Sequence, residues 1–235
     1  MPDTQLMTLL GVGFVLGLRH ALDVDHLAAV STVLAERPSL LASGAVGLWW
    51  GIGHTLTLLL VGSVVLVLGV HIPPKFEFIA ESGVGILLIL LGGMLALKLY
   101  RERWHVHRHQ HDGAPHIHLH SHQRQEDHRH RHWVVESIRP LCIGMVHGLA
   151  GSAALMLMIL ATTTEVGTGL LSILVFGVGS ILGMMVIGLL LSVPIVCSLS
   201  VSDRLFVGIQ GFASMASVVV GVWILVKLTL PVGSP

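Results

Sequence analysis

LMTLLGVGFVLGLRHALDVDHLAAV, residues 6–30, decides the fold of this chain. It is apolar at both ends and passes the roughly 20 residues that an α-helix needs to cross a bilayer. Yet Arg19, His20, Asp23, Asp25 and His26 stand in its middle. A charge near the centre of a spanning helix costs roughly 2.5–3.5 kcal/mol. Arg19, Asp23 and Asp25 together would cost about 7–10 kcal/mol unless paired or metal-bound. Ionisable groups inside a membrane mark a functional site by default, and His with Asp are ligands for a divalent metal.

The composition agrees with a membrane setting. Of 235 residues, 53% are apolar and only 11% charged, and the mean hydropathy is +0.84. Soluble domains carry about 25% charged residues. The formal net charge is zero, so nothing points to nucleic acid. Cys142 and Cys197 are far apart in apolar segments and form no CxxC pair. No GxxxxGK followed by Ser or Thr occurs, so there is no P-loop for ATP. The start of the chain lacks the basic region of a cleaved signal peptide, and the first helix is expected to be retained.

Apolar runs predict an all-α integral membrane protein with six transmembrane helices, over about 5–34, 40–70, 79–100, 138–161, 166–198 and 204–230. Pro194 is a candidate kink in the fifth. Between the third and fourth lies a segment that carries eleven of the sixteen histidines: His105, His107, His109, His111, His116, His118, His120, His122, His128, His130 and His132. Such composition cannot build a core, and it predicts disorder without metal. Its neutral imidazoles favour borderline transition metals over Mg²⁺ or Ca²⁺, and acid would release them. The irregular spacing reads as an auxiliary metal buffer; a merely solvated polar tract is the alternative.

Lys and Arg counting sets orientation. One side has Arg37, Lys98, Arg101, Arg103, Arg108, Arg124, Arg129, Arg131, Arg139 and Arg204; the other has Lys75 and Lys227. The His-rich loop is therefore predicted cytoplasmic, with both termini outside.

The two halves match at a near-constant offset, with chance matching of glycines in Gly-rich helices as the alternative. Gly17-Leu18-Arg19-His20-Ala21-Leu22 matches Gly144-Met145-Val146-His147-Gly148-Leu149, and Gly51-Ile52-Gly53-His54 matches Gly177-Val178-Gly179-Ser180. The offset stays near 126 residues, and Gly62 then matches Gly188. Three spans per half make the second copy inverted, a plan in which sites lie near the midplane between repeats. The expected organisation is a first three-helix repeat over 1–100, the His-rich loop over 101–137 and a second repeat over 138–235.

On a helix at 100° per residue, His20, Asp23 and His26 share a face, whereas Asp25 lies about 140° from His20. Asp25 can join them only if the helix is unwound at Asp23 to His26, or it acts from behind the ligands. The alternative is a neutralised Arg19–Asp23 pair at i,i+4 with two passive histidines. His54 follows Gly51 and Gly53, which let another helix come close. His147 is the counterpart of His20. Trp49 and Trp50 read as packing or interface groups.

At these residues the chain resembles the nickel/cobalt transporter family. His20-Ala21-Leu22-Asp23-Val24-Asp25-His26 is similar to its HX4DH signature, in the form RHA-x-D-x-DH, and Ile52-Gly53-His54-Thr55 is similar to its LGHS/T motif. The resemblance lies in the first 60 residues or so; the family's later GFDTATE motif is absent, and the segment from Gly144 to Ala150 stands in its place. The chain resembles a short branch that includes urease-accessory membrane proteins, and its His-rich loop is similar to that of nickel/cobalt efflux proteins.

The resemblance implies a secondary transporter of Ni²⁺ or Co²⁺, with Zn²⁺ ranking behind them, working in uptake across the cell membrane. It implies no enzyme and no cofactor; the metal is cargo. His20, Asp25, His26 and His54 would recognise it, Asp23 and His147 would assist, and Arg19 would balance charge. Efflux is one rival reading. Another is a membrane scaffold that hands metal to nickel-enzyme maturation proteins, and a third is a histidine-box oxygenase, which would need compact His clusters on ordered helix ends.

Overall fold

The computed structural model describes residues 3–36, 38–70, 72–102, 107–111, 114–118, 133–162 and 165–230; for residues 3, 102, 107–111, 114–118, 133–136 and 152–162 it describes the backbone only. The helices are α1 (Asp3–His20), α2 (Val24–Ala35), α3 (Leu40–Leu68), α4 (Pro74–Glu102), α5 (Trp133–Thr162), α6 (Val166–Val201) and α7 (Asp203–Thr229). This is a helical membrane protein. Four helices, α3, α4, α6 and α7, are long and apolar enough to cross a bilayer among the described residues. The pair α1–α2, bent by 51° at its break, makes a fifth candidate where the two helices are read as one span.

The expected first span is therefore two helices. The expected break at Asp23 to His26 falls slightly earlier, between His20 and Val24. Elsewhere the boundaries follow local chemistry. Ser39 and Ser202 cap α3 and α7, their hydroxyls accepting from the backbone of Ala42 and Leu205. Gly69 closes α3 in the left-handed region at φ 63°, which glycine adopts without a Cβ penalty. The kink expected at Pro194 leaves α6 unbroken, since the helix runs on from Val166 to Val201.

The His-rich segment carries the one departure from an all-helical chain among the described residues. Strands β1 (His107–His111) and β2 (Ala114–His118) form an antiparallel hairpin. Histidine at alternate positions is a period of two, which suits a strand, and Asp112-Gly113 between the runs is a strong hairpin signal in sequence. The register sets His107 opposite His118 and His109 opposite His116. His105, His120, His122, His128, His130 and His132 lie outside the described residues.

The core forms where α3 meets α5 and α6, α4 meets α7, and α1 meets α6. Lipid offers no hydrophobic drive for helix association, so small residues and hydrogen bonds carry it. A methyl group at Gly17 would collide with the carbonyl of Phe176, and one at Gly144 with the carbonyl of Trp50. The α4–α7 seam is bonded by Ser214 Oγ donating to the Gly92 carbonyl at 2.8 Å and Ser217 Oγ to that of Leu88 at 3.0 Å. Gln210 Nε2 donates to the Ala35 carbonyl at 2.7 Å, which fastens the end of α2 to α7.

Candidate metal centre

The break between α1 and α2 shapes the site. Leu22 and Asp23 donate their backbone N–H groups to the carbonyls of Arg19 and His20, at 2.9 and 3.1 Å, which turns the chain after His20. Asp23 then takes the N-cap position of α2 in an extended conformation (φ −62°, ψ 143°) and its carbonyl accepts from Leu27. Its carboxylate does not cap the helix. It accepts instead from His20 Nδ1 at 2.8 Å.

Glycine contacts bring the other helices in. Gly17 lies three residues before His20, Gly53 immediately before His54, and Gly144 three before His147. Each presses on a neighbouring backbone: Gly17 on Phe176 in α6, Gly53 on Leu141 in α5, Gly144 on Trp50 in α3. The result is a group of four imidazoles from α1, α2, α3 and α5, with His26, His54 and His147 buried and His20 partly exposed. Ring centroids lie 4.8 Å apart for His20–His26, 4.9 Å for His20–His54, 5.5 Å for His26–His54 and 5.0 Å for His26–His147. Ligand atoms of His20, His26 and His54 all fall within 4.8 Å of one another, as do those of Asp23, Asp25 and His26.

The hydrogen bonds fix which nitrogens are available. His20 Nδ1 faces the Asp23 carboxylate, His26 Nδ1 faces Asp25 at 3.1 Å, and His147 Nδ1 faces the Ile143 carbonyl at 3.0 Å. All three partners are acceptors, so each Nδ1 carries the proton and each Nε2 keeps its lone pair. Those three Nε2 atoms, with both ring nitrogens of His54, are buried without a partner among the described residues. A buried polar atom left unpaired costs about 1–3 kcal/mol. Ring N–H to carboxylate or carbonyl on one side, with a free nitrogen on the other, is the arrangement by which proteins orient imidazoles toward a metal.

Not every residue singled out in the sequence takes the expected part. The alternative pairing of Arg19 with Asp23 does not form, because the chain leaves the helix at Ala21 and the i,i+4 spacing is lost. Arg19 is exposed and has no ion pair among the described residues. Asp25, expected among the ligands, accepts from His26 Nδ1 and has a carboxylate oxygen within ligand reach of Asp23 and His26. Three residues enter the site unannounced. Phe176 lies 5.6 Å from His20 and Trp50 lies 5.0 Å from His147, centroid to centroid. Gly151 leaves room beside His20, where an added methyl would sit 3.5 Å from Cε1. Gly151 could have been found one turn beyond His147; the two aromatics carry no signal that separates them from core.

Comparison with known proteins gives the family. The model of the high-affinity nickel-transport protein family, NicO, matches residues 6–230. The chain belongs to the NicO family. It is also similar to the urease accessory protein UreH of Bacillus sp. (strain TB-90), with 35% identity over 218 residues, 91% of this chain and 90% of that one. No solved structure matches. NicO membership makes this a multi-pass nickel-transport protein of the membrane, in a class of metal transporters rather than enzymes.

Proposed function

We propose that this NicO protein takes up Ni²⁺ or Co²⁺ as a secondary transporter, through a midplane site formed by His20, His26, His54 and His147. The observation that carries this reading is the set of buried imidazole nitrogens left without partners by their own hydrogen bonds. Nitrogen ligands suit nickel and cobalt, and a buried neutral set has no use for Mg²⁺ or Ca²⁺. Asp23 and Asp25 hold two of the rings and place two negative charges beside a divalent cation. Zinc ranks third as cargo.

Reciprocal contacts support a site between two inverted three-helix repeats, with α1–α2, α3 and α4 in the first and α5, α6 and α7 in the second. Gly17 meets Phe176 as Gly144 meets Trp50, and Gly53 meets Leu141 as Gly179 meets Phe14. A shift of 126–127 residues converts one contact of each pair into the other. On the third helices Gly92 meets Ser214 and Gly221 meets Gly85, at an offset of 129. Rocking of one repeat against the other would expose the site alternately. With the termini outside, inward movement of a divalent ion gains about 4–5 kcal/mol per 100 mV, twice the single-charge value.

The His-rich segment, on the cytoplasmic side, would receive the ion after passage. The similarity to a urease accessory protein favours a nickel enzyme under maturation as the final recipient; it is also the observation behind a second reading, a membrane scaffold that moves no metal itself. Flux of radioactive nickel into proteoliposomes tests both. Transport that is lost in His26→Ala and His147→Ala is expected; no flux in the unaltered protein overturns the transporter in favour of the scaffold. In whole cells, overproduction should raise nickel content. A fall would mean efflux.

A further inference from the structure

Trp50 lies one helical turn before His54 on α3 and is fully buried. Its ring lies 5.0 Å from that of His147 at 50° and 6.3 Å from that of His26 at 44°, centroid to centroid. The backbone of Trp50 is held by the close approach of Gly144, so the indole has a fixed seat between α3 and α5. Its Nε1–H is buried with no acceptor among the described residues. The ion proposed above would satisfy the imidazole nitrogens left unpaired around it. An N–H cannot ligate a metal, so the ion alone leaves this donor unexplained.

We propose that Trp50 is a positioning and specificity residue of the ion site. Its ring holds His147 and His26 in register, and its N–H donates to an oxygen ligand that the ion carries with it. Four imidazoles leave a six-coordinate Ni²⁺ with positions for oxygen, which a water or the carboxylate of a chelating acid can fill. A hydrogen bond to that oxygen is made only by an ion that retains such a ligand, which favours six-coordinate ions over the tetrahedral habit of Zn²⁺. The inference rests on the four-histidine site proposed above.

The test uses full-length protein in detergent and in proteoliposomes. Ni²⁺ and Co²⁺ quench the fluorescence of a nearby tryptophan. The chain has five tryptophans, and Trp104 and Trp133 flank the His-rich segment, so the component of saturable quenching that His147→Ala abolishes should be missing in Trp50→Phe and persist in Trp223→Phe, an exposed residue on α7. Trp50→Phe keeps the ring and loses the donor. It should raise the apparent KM for Ni²⁺ about tenfold, equal to about 1.4 kcal/mol, with maximal flux held. The KM for Zn²⁺ should change less, and Trp50→Ala should lower maximal flux as well. Running each series with Ni²⁺ alone and with Ni²⁺–citrate identifies the oxygen: an effect with Ni²⁺ alone assigns it to water, an effect confined to citrate assigns it to the chelator. Survival of that component in Trp50→Phe, or an unchanged KM in both series, overturns the proposal. If His26→Ala and His147→Ala also leave Ni²⁺ binding unchanged, the site itself is wrong; if they abolish it, only the role of Trp50 falls.

Discussion

Arg139 in α5 donates through both terminal nitrogens to the two carboxylate oxygens of Glu36, the residue that closes α2. The same two helices carry His147 and His26, whose rings lie 5.0 Å apart. Glu36 is ten residues beyond His26 and Arg139 eight before His147, about 15 and 12 Å along the two axes. The helices are thus tied at one end by charge and meet at the other around the site.

That tie gives the first prediction. Glu36→Gln or Arg139→Gln should lower thermal stability in detergent modestly, because Arg139 is 43% exposed and water screens the pair. Exposed bidentate pairs contribute about 0.2–1 kcal/mol. A double-mutant cycle should return a coupling of this order, and the exchange Glu36→Arg with Arg139→Glu should recover most of it. Additive single losses would mean that the bidentate geometry does not persist.

His147→Ala should abolish high-affinity nickel binding, by at least about 100-fold, and leave the melting temperature of the metal-free protein within a few degrees. The reason is the unpaired Nε2, whose burial costs stability in the empty protein. Equilibrium dialysis with nickel and a thermal melt without it check the two halves separately. A large destabilisation without change in binding would make His147 a packing residue.

Asp25→Asn should act more mildly than His26→Ala. The amide oxygen can still accept from His26 Nδ1, now 3.1 Å from the carboxylate, but the negative charge beside the cation is gone. Loss of a carboxylate behind a metal-bound imidazole typically costs 10–100-fold in affinity. Nickel titrations should therefore rank wild type, Asp25→Asn and His26→Ala in that order. Equal losses in the two variants would make Asp25 a direct ligand.

How much of this was legible in the chain depends on the range of the interaction. The break after His20 was readable as one of two alternatives, because charges and helical phase are local: Asp25 falls off the shared face of His20, Asp23 and His26, so either the helix opens or Asp25 acts from behind the ligands. The helical spans were readable from apolar length. The pairing of Arg139 with Glu36 was not, since 103 residues separate them. Trp50 was not either, because a buried tryptophan beside a ligand has the same sequence context as one in a core. The hairpin was missed for a different reason. Composition argued for disorder, and the period of two within that composition was given less weight.

Gly144→Ala tests the packing that aligns the site. Its methyl would strike the Trp50 carbonyl, and a helix backbone cannot yield as a flexible side chain can. Overpacking costs about 1–3 kcal/mol, and here it also parts α3 from α5, which hold His54 and His147. Stability and nickel affinity should fall together. Gly11→Ala is the control, since nothing lies within 4 Å of its added methyl. Equal behaviour of the two variants would remove the close approach as a determinant.

Deletion of residues 105–132 separates the loop from the pathway. The hairpin sets His107 opposite His118 and His109 opposite His116, and residues i and i+2 share a strand face, so five histidine positions of β1 and β2 lie on one face. A face of imidazoles binds borderline metals without contributing to the buried four. The shortened protein should bind fewer nickel ions per chain by dialysis, yet keep proteoliposome flux within a few-fold of wild type. In cells, if the proposed uptake and delivery hold, the deletion should weaken nickel-dependent enzyme activity at limiting nickel and be masked by excess. Complete loss of proteoliposome flux would place the loop in the transport path itself.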